Sequence, residues 1–234
     1  MLNLVLLHGW ATNSRIWEKQ RVALQGQVNL LIPDLPTWQA EWLGDFLSRL
    51  PLADTLVVGW SLGGMLALES LANLPRPPRT MVLVGVGASF CRRPDYPAGV
   101  APAVVRAMRR RLQQQRAQVV GDFYALMLAP TEKAWEGPLS SLLPSSLAAL
   151  PLEEGLDYLL QKDLRPSLLN LPGVPLVVVQ GEQDRISPQT QAQYWKDQVP
   201  AARLEIYPEV GHLPFLTQAE RFNKLLVELL HEDR

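Results

Sequence analysis

The chain has a single cysteine, Cys91, among its 234 residues. One thiol can neither close an internal disulfide nor build a cysteine-rich metal site, which excludes a stapled scaffold and fits a reducing compartment. An excess of one sign of charge is missing too: 22 Lys and Arg against 23 Asp and Glu leave a net charge of -1. The molecule as a whole is therefore not committed electrostatically to nucleic acid or to anionic membrane. The opening MLNLVLLHGW lacks a basic segment and its apolar run stops at His8, so neither a secretion signal nor a membrane span is expected and the protein reads as cytoplasmic. No internal repeat or low-complexity tract is visible. Histidine is scarce, with three in all, which makes a search for a catalytic base short.

What is present is a core. At 47% hydrophobic and 19% charged residues, the chain can bury one large interior, as one domain with an insertion more readily than as two domains. Short runs rich in Val, Leu and Ile predict strands at Leu4 to Leu7, Val28 to Ile32, Thr55 to Val58, Met81 to Val86, Leu176 to Gln180 and Arg203 to Tyr207, with helices between. These runs do not alternate in polarity, as expected when helices cover both faces of a parallel sheet. Ser187 before Pro188 predicts a helix N-cap, and Thr217-Gln218-Ala219-Glu220 predicts a capping box. The pattern is a doubly wound α/β fold. Between Gly87 and about Leu171 only helical, proline-broken segments occur, which predicts a helical cap over 88–171 inserted into a core of 1–87 and 172–234.

The segment VVGWSLGGMLALE, residues 57–69, crowds glycines around Ser61 where a strand hands over to a helix. Glycine is entropically costly when ordered, so the cluster needs a geometric reason. Gly59-Trp60-Ser61-Leu62-Gly63 fits a nucleophile elbow, in which a strained serine is presented by a turn that leaves no room for neighbouring side chains. The plainer alternative is a tight turn with a solvated serine. A serine hydroxyl needs a base. His231 sits in a polar tail and His8 would shape a loop, whereas His212 follows the last strand and so emerges at the same sheet edge as Ser61. Asp184, after the strand Leu176 to Gln180, is the acid expected to orient it. Glu182 is its nearest rival, and Asp34 precedes the nucleophile where the order Ser, acid, His is required. An Asx turn is the structural alternative for Asp184.

With LHGW, GWSLGG, GEQD and GH in order, the chain resembles an α/β-hydrolase over nearly its whole length. LVLLHGW, GWSLGG, CRRPDYPAGV and KDLRPSLLNL together resemble the biotin-synthesis esterases that remove the methyl group from pimeloyl-acyl-carrier-protein methyl ester. The resemblance implies a Ser61, Asp184 and His212 triad working through an acyl-enzyme, an oxyanion hole of the Trp10 and Leu62 backbone N–H groups, and no metal or cofactor. It implies an ester substrate, carried by acyl carrier protein, and a monomer. Two departures stand out. The chain starts almost on the HG strand, so the N-terminal hairpin of such folds is expected to be shortened or missing. In the cap, Gln118 and Asp122 stand where arginine is expected.

Trp10, Trp60, Leu62, Phe123 and Met127 are candidates to line the acyl channel, with plain core packing as the alternative. Residues 89–122 carry seven arginines against two aspartates. Val104, Met108, Leu112, Val119 and Phe123 recur at helical spacing, which leaves Arg106, Arg109, Arg110 and Arg116 on the outer side, suited to an acidic carrier or simply solvated. No nucleic-acid reader motif accompanies them. Other readings are a broad short-chain carboxylesterase, a relative acting on a menaquinone or aromatic-degradation intermediate, and a catalytically inactive binding protein on the same scaffold.

Overall fold

Every residue of Asn3–Leu7 (β1), Thr55–Trp60 (β3) and Thr80–Val84 (β4) is buried, the signature of strands covered on both faces. Asn29–Leu31 (β2) and Arg203–Tyr207 (β6) are partly exposed because they form the two edges, and Leu176–Gly181 (β5) lies inside β6. The computed structural model describes residues 1–167 and 173–232. Its sheet has 6 strands in the order β2-β1-β3-β4-β5-β6, and each neighbouring pair is parallel. The expectation of a mostly parallel sheet is thus exceeded, and among the described residues no antiparallel hairpin flanks it.

The direction of winding reverses after β2. Right-handed crossovers therefore put Glu18–Leu24 (α1) on one face and Ala40–Ser48 (α2) with Leu62–Ala72 (α3) on the other. Accordingly α2 packs on α3, while α1 packs on the last helix, Ala219–His231. Predicted strand ends moved where backbone geometry overrode composition. β3 continues to Trp60, and β4 stops at Val84 because Gly85 turns to φ 58.

Between β4 and β5 the described chain holds Pro102–Met127 (α4), Glu136–Leu142 (α5) and Leu152–Gln161 (α6), with no named strand. The expected cap-to-core junction at 171–172, and the end of the KDLRPSLLNL motif, lie outside the described residues. α4 is not one straight rod: Gln115 leaves helical geometry at φ -136 and ψ 43. Arg111 bonds Asp122 at 3.0 Å across the bend. Eleven residues of straight helix would rise about 16 Å, beyond the joint reach of the two side chains, so the arms fold toward each other. The buried stripe differs by one position from the expected one. Val105, not Val104, is buried with Leu112, Val119 and Phe123, while Val104 is 51% exposed.

Both predicted helix starts are corrected. Pro188 occupies the cap position of Gln189–Gln198 (α7), and the Ser187 hydroxyl instead donates to Gln191 Oε1 at 2.6 Å. Pro214 starts a separate turn, Pro214–Thr217 (α8), so Thr217 ends a helix and donates back to the Leu213 carbonyl rather than capping Ala219–His231 (α9). No helix among the described residues is long and apolar enough to cross a membrane.

Candidate active site

The parallel register aligns strand ends on one edge of the sheet. Leu7 pairs with Gly59, Trp60 with Val84, and Gly181 with Tyr207. Loops leaving these strands therefore meet outside the carboxyl edge, beside the β1/β3 switch where open α/β sheets hold a crevice. They carry His8 to Trp10, Ser61, Asp184 and His212.

Ser61 sits between β3 and α3 with φ 53 and ψ -125, a conformation that costs an L residue about 1–3 kcal/mol. The flanking glycines do not themselves need positive φ; they permit contact. A Cβ on Gly59 would fall 2.3 Å from Gly64 Cα, and one on Gly63 would fall 2.2 Å from the His8 carbonyl oxygen. The sharp turn expected at Ser61 is present, pressed against the loop after β1, and the serine is buried rather than solvated.

His212 Nδ1 lies 2.6 Å from Asp184 Oδ2, with both side chains fully buried. The other oxygen, Asp184 Oδ1, accepts the Ile186 and Ser187 backbone N–H groups at 2.8 Å each. One carboxylate thus does both things weighed for it: it forms the Asx turn and orients the imidazole. Glu182 is exposed and accepts the Glu209 N–H at 3.1 Å, away from the imidazole pair. Asp34 accepts the Ser14 N–H at 2.7 Å. His212 Nε2 is buried and has no hydrogen-bond partner, so the Ser61 hydroxyl does not bond it in this conformation.

Sequence reasoning missed three supports of this pair. Gly85 leaves room for the imidazole, since a Cβ there would lie 2.9 Å from His212 Nδ1. Trp60 Nε1 donates to the His212 carbonyl at 2.9 Å. Gln180 Nε2 reaches Asp184 Oδ2 at 3.3 Å and the Ser187 carbonyl at 2.9 Å. A glycine directly after a core strand was the readable signal for Gly85; a buried Gln inside an apolar strand was the one for Gln180.

The loop after β1 is set by His8. Its Nε2 accepts the Leu35 N–H at 2.9 Å, so Nδ1 carries the proton and donates to the Gly9 carbonyl at 3.0 Å. Burial holds its pKa below the ordinary value, against the upward pull of that carbonyl and of Asp34. A neutral, doubly bonded imidazole thus braces the Gly9–Trp10 turn, and Ala11 beside it is held at φ 58. The Leu62 N–H opens α3, where no helical acceptor is available to it.

A cavity of about 80 Å³ is lined by Trp10, Ser61, Met108, Phe123 and Ile186, and by Val104 and Leu126 at its exposed rim. A larger hollow of about 750 Å³ between α4 and α5 contains none of the three triad candidates. Of the expected channel residues, Trp10 and Phe123 line the smaller cavity, ring edge to face at 4.8 Å. Trp60, Leu62 and Met127 do not. Trp60 is turned onto His212 and Phe215, Leu62 packs beneath Gly155 of α6, and Met127 is fully buried with its carbonyl taking the His212 N–H at 2.7 Å.

The four cap arginines divide. Arg109 makes a two-pronged contact with Asp157 at 3.0 and 3.2 Å, and Arg116 binds Glu153 at 2.7 Å, so both staple α4 to α6 rather than standing clear. Arg106 and Arg110 are exposed and have no ion-pair partner among the described residues.

Residues 4–225 match the family model described as "Alpha/beta hydrolase family". A pimeloyl-[acyl-carrier protein] methyl ester esterase of Nitrosomonas europaea is 32% identical over 234 residues, covering 94% of this chain and 92% of that protein. A protein of the same name from Pectobacterium atrosepticum is 28% identical over 244 residues, covering 96% and 92%. The esterase EaEST from Exiguobacterium antarcticum shares the fold at a TM-score of 0.83 and 24% identity, covering 99% of this chain and 92% of that one. The match runs through the sheet, the elbow and both loops that hold the buried imidazole pair, and the chain belongs to the alpha/beta hydrolase family.

Proposed function

We propose that this protein is a serine carboxylesterase that hydrolyses the methyl ester of pimeloyl-acyl-carrier protein in biotin synthesis. Ser61 Oγ attacks the ester carbonyl while its proton passes to His212 Nε2. The Trp10 and Leu62 N–H groups receive the charge that develops on the carbonyl oxygen, and Asp184 stabilises the imidazolium. His212 then protonates the departing methoxide, releasing methanol and leaving the acyl group on Ser61. Water, deprotonated by the same imidazole, attacks the acyl-enzyme, that proton passes on to Ser61 as the carboxylic acid leaves, and the acid gives its own proton to solvent. Each step draws on protein groups and water.

The observation that carries this reading is the unpartnered Nε2 of His212. With Nδ1 held by Asp184, Nε2 is an acceptor, yet it is buried without a partner. An unmet buried polar atom costs about 1–3 kcal/mol, and no packing role accounts for it. We read it as the base that takes the Ser61 proton. Oriented donors at the developing oxyanion add ~3 kcal/mol each to transition-state stabilisation.

The substrate assignment rests on the relatives' names and on the shape of the cap. The described part of 88–171 is read as a lid on the described part of a core of 1–87 and 172–234. A support for this is that α6 takes the Trp10 indole N–H on its Leu152 carbonyl at 2.8 Å. The narrow apolar cavity beside Ser61 is compatible with a linear acyl chain, and its rim at Val104 and Leu126 is exposed. Arg106 and Arg110 are the cations free to meet an acidic carrier, with Arg109 and Arg116 contributing from the α4–α6 staple.

The test compares turnover of methyl pimeloyl-carrier with that of a p-nitrophenyl ester. A clear preference in kcat/KM for the carrier-linked ester supports the assignment. Equal or better use of the small ester makes the protein a broad carboxylesterase, and failure on both, with no reaction of Ser61 with a fluorophosphonate, makes it a binding protein.

A further inference from the structure

Glu132 lies in the 3-10 turn Pro130–Trp135 that follows α4, and it is buried without an ion-pair partner among the described residues. Its Oε2 accepts two backbone N–H groups at 2.8 Å each, one from Ala129 and one from Gly211. Its Oε1 is buried and unpartnered. The bond to Ala129 is local and would serve any turn. The bond to Gly211 is not, because it crosses 79 positions of sequence to grip the residue directly before His212.

Two more bonds join the same segments. His212 N–H donates to the Met127 carbonyl at 2.7 Å, and Thr131 Oγ1 donates to the Glu209 carbonyl at 2.6 Å. Gly211 is pressed so closely onto this turn that a Cβ would lie 2.5 Å from the Met127 carbonyl oxygen. The loop bearing the imidazole is thus tied to the exit of the cap at Glu209, Gly211 and His212.

A carboxylate is an expensive group to bury when an amide or hydroxyl can accept an N–H. Its placement has a consequence for chemistry: Asp184 sets the tilt of the ring, but the backbone of residues 211–212 sets where Nε2 stands. We propose that Glu132 is a positioning residue for His212, through which the cap's exit turn fixes the distance between base and nucleophile. The inference rests on the reading of His212 as the base.

The experiment uses the full chain, a p-nitrophenyl ester and the variants E132A, E132Q, E132D and S61A. In folded E132A, kcat falls on the order of 10- to 100-fold, as expected for a reacting group displaced by about 1 Å, with KM within about twofold of the parent. Fluorophosphonate labelling of Ser61 slows by the same factor. E132Q, whose amide oxygen can take both N–H donors, returns kcat to within about threefold of the parent. The low-field proton resonance of the His212–Asp184 bond broadens in E132A and sharpens again in E132Q. If E132A does not fold, E132D, which keeps the charge but shortens the reach, is read in the same way.

Parent-like kcat in folded E132A, or in E132D where it replaces E132A, overturns the inference. So does a rise in KM alone, or an E132Q no better than E132A. The controls separate the two claims. Full turnover by S61A removes the proposed function itself, whereas an inactive S61A beside an unimpaired Glu132 variant removes only the positioning role.

Discussion

The carbonyl oxygen of His8 lies against the α-carbon of Gly63, where a Cβ would come within 2.2 Å of it. This contact joins the loop after β1 to the turn after β3, and in the proposed mechanism these two segments supply the Trp10 and Leu62 N–H donors to the oxyanion. Because the obstacle is backbone, it cannot swing aside. Gly63→Ala is expected to push the two donors apart and lower kcat by roughly 10²- to 10³-fold, the loss seen when one oxyanion donor is removed. Steady-state kinetics on a small ester check this, with circular dichroism confirming the fold.

Gly85 makes a similar prediction for the base. A methyl group there would sit 2.9 Å from His212 Nδ1 and 3.2 Å from Asp184 Oδ2, at a φ of 58 that L residues rarely adopt. Gly85→Ala should displace the imidazole from its carboxylate. The expected outcome is a protein that folds with a lowered melting temperature and labels slowly with fluorophosphonate. Parent-like labelling would show that the room at Gly85 is not needed.

How much of this was legible in the residues follows from what each position has to satisfy. Strands with both faces covered need unbroken apolar runs, so the positions of β1, β3 and β4 could be read, and with them the sheet edge that Ser61, Asp184 and His212 follow. Local signals failed where tertiary bonds outbid them. Ser187 looks like a cap, but its hydroxyl is claimed by Gln191. Gln115 carries no glycine or proline to announce the bend in α4, and Val105 rather than Val104 shares the buried stripe of Leu112, Val119 and Phe123 because it lies two helical turns before Leu112. Arg109 and Arg116 read as outward-facing until Asp157 and Glu153 on α6 are seen beside them. Glu132 was invisible because its use depends on a loop far along the chain.

His8 yields a prediction about pH. Its folded pKa is held below the ordinary 6.5 chiefly by burial. Below that pH the unfolded chain takes up a proton that the folded chain refuses, so stability is complete above 6.5 and declines as pH falls through it. The slope from one such group is at most about 1.4 kcal/mol per pH unit. Denaturant midpoints measured on either side of that pH should show the decline, and a folded His8→Asn variant, lower in stability overall, should show less of it.

The division among the arginines predicts a selective effect. Reversing charge in Arg106→Glu with Arg110→Glu should raise KM for a carrier-linked ester several-fold, most strongly at low salt, and leave turnover of a p-nitrophenyl ester unchanged. Arg109→Ala should instead loosen the α4–α6 contact. Its partly exposed pair with Asp157 contributes no more than about 1 kcal/mol, read as a small drop in melting temperature.

The most direct test of the central claim is site-mapped labelling by a fluorophosphonate in the parent, His212→Ala and Asp184→Ala proteins. One adduct is expected on the peptide that contains Ser61 in the parent, with labelling slowed by orders of magnitude in His212→Ala and clearly slowed in Asp184→Ala. An adduct on another residue, or undiminished reaction of Ser61 without the imidazole, would contradict it.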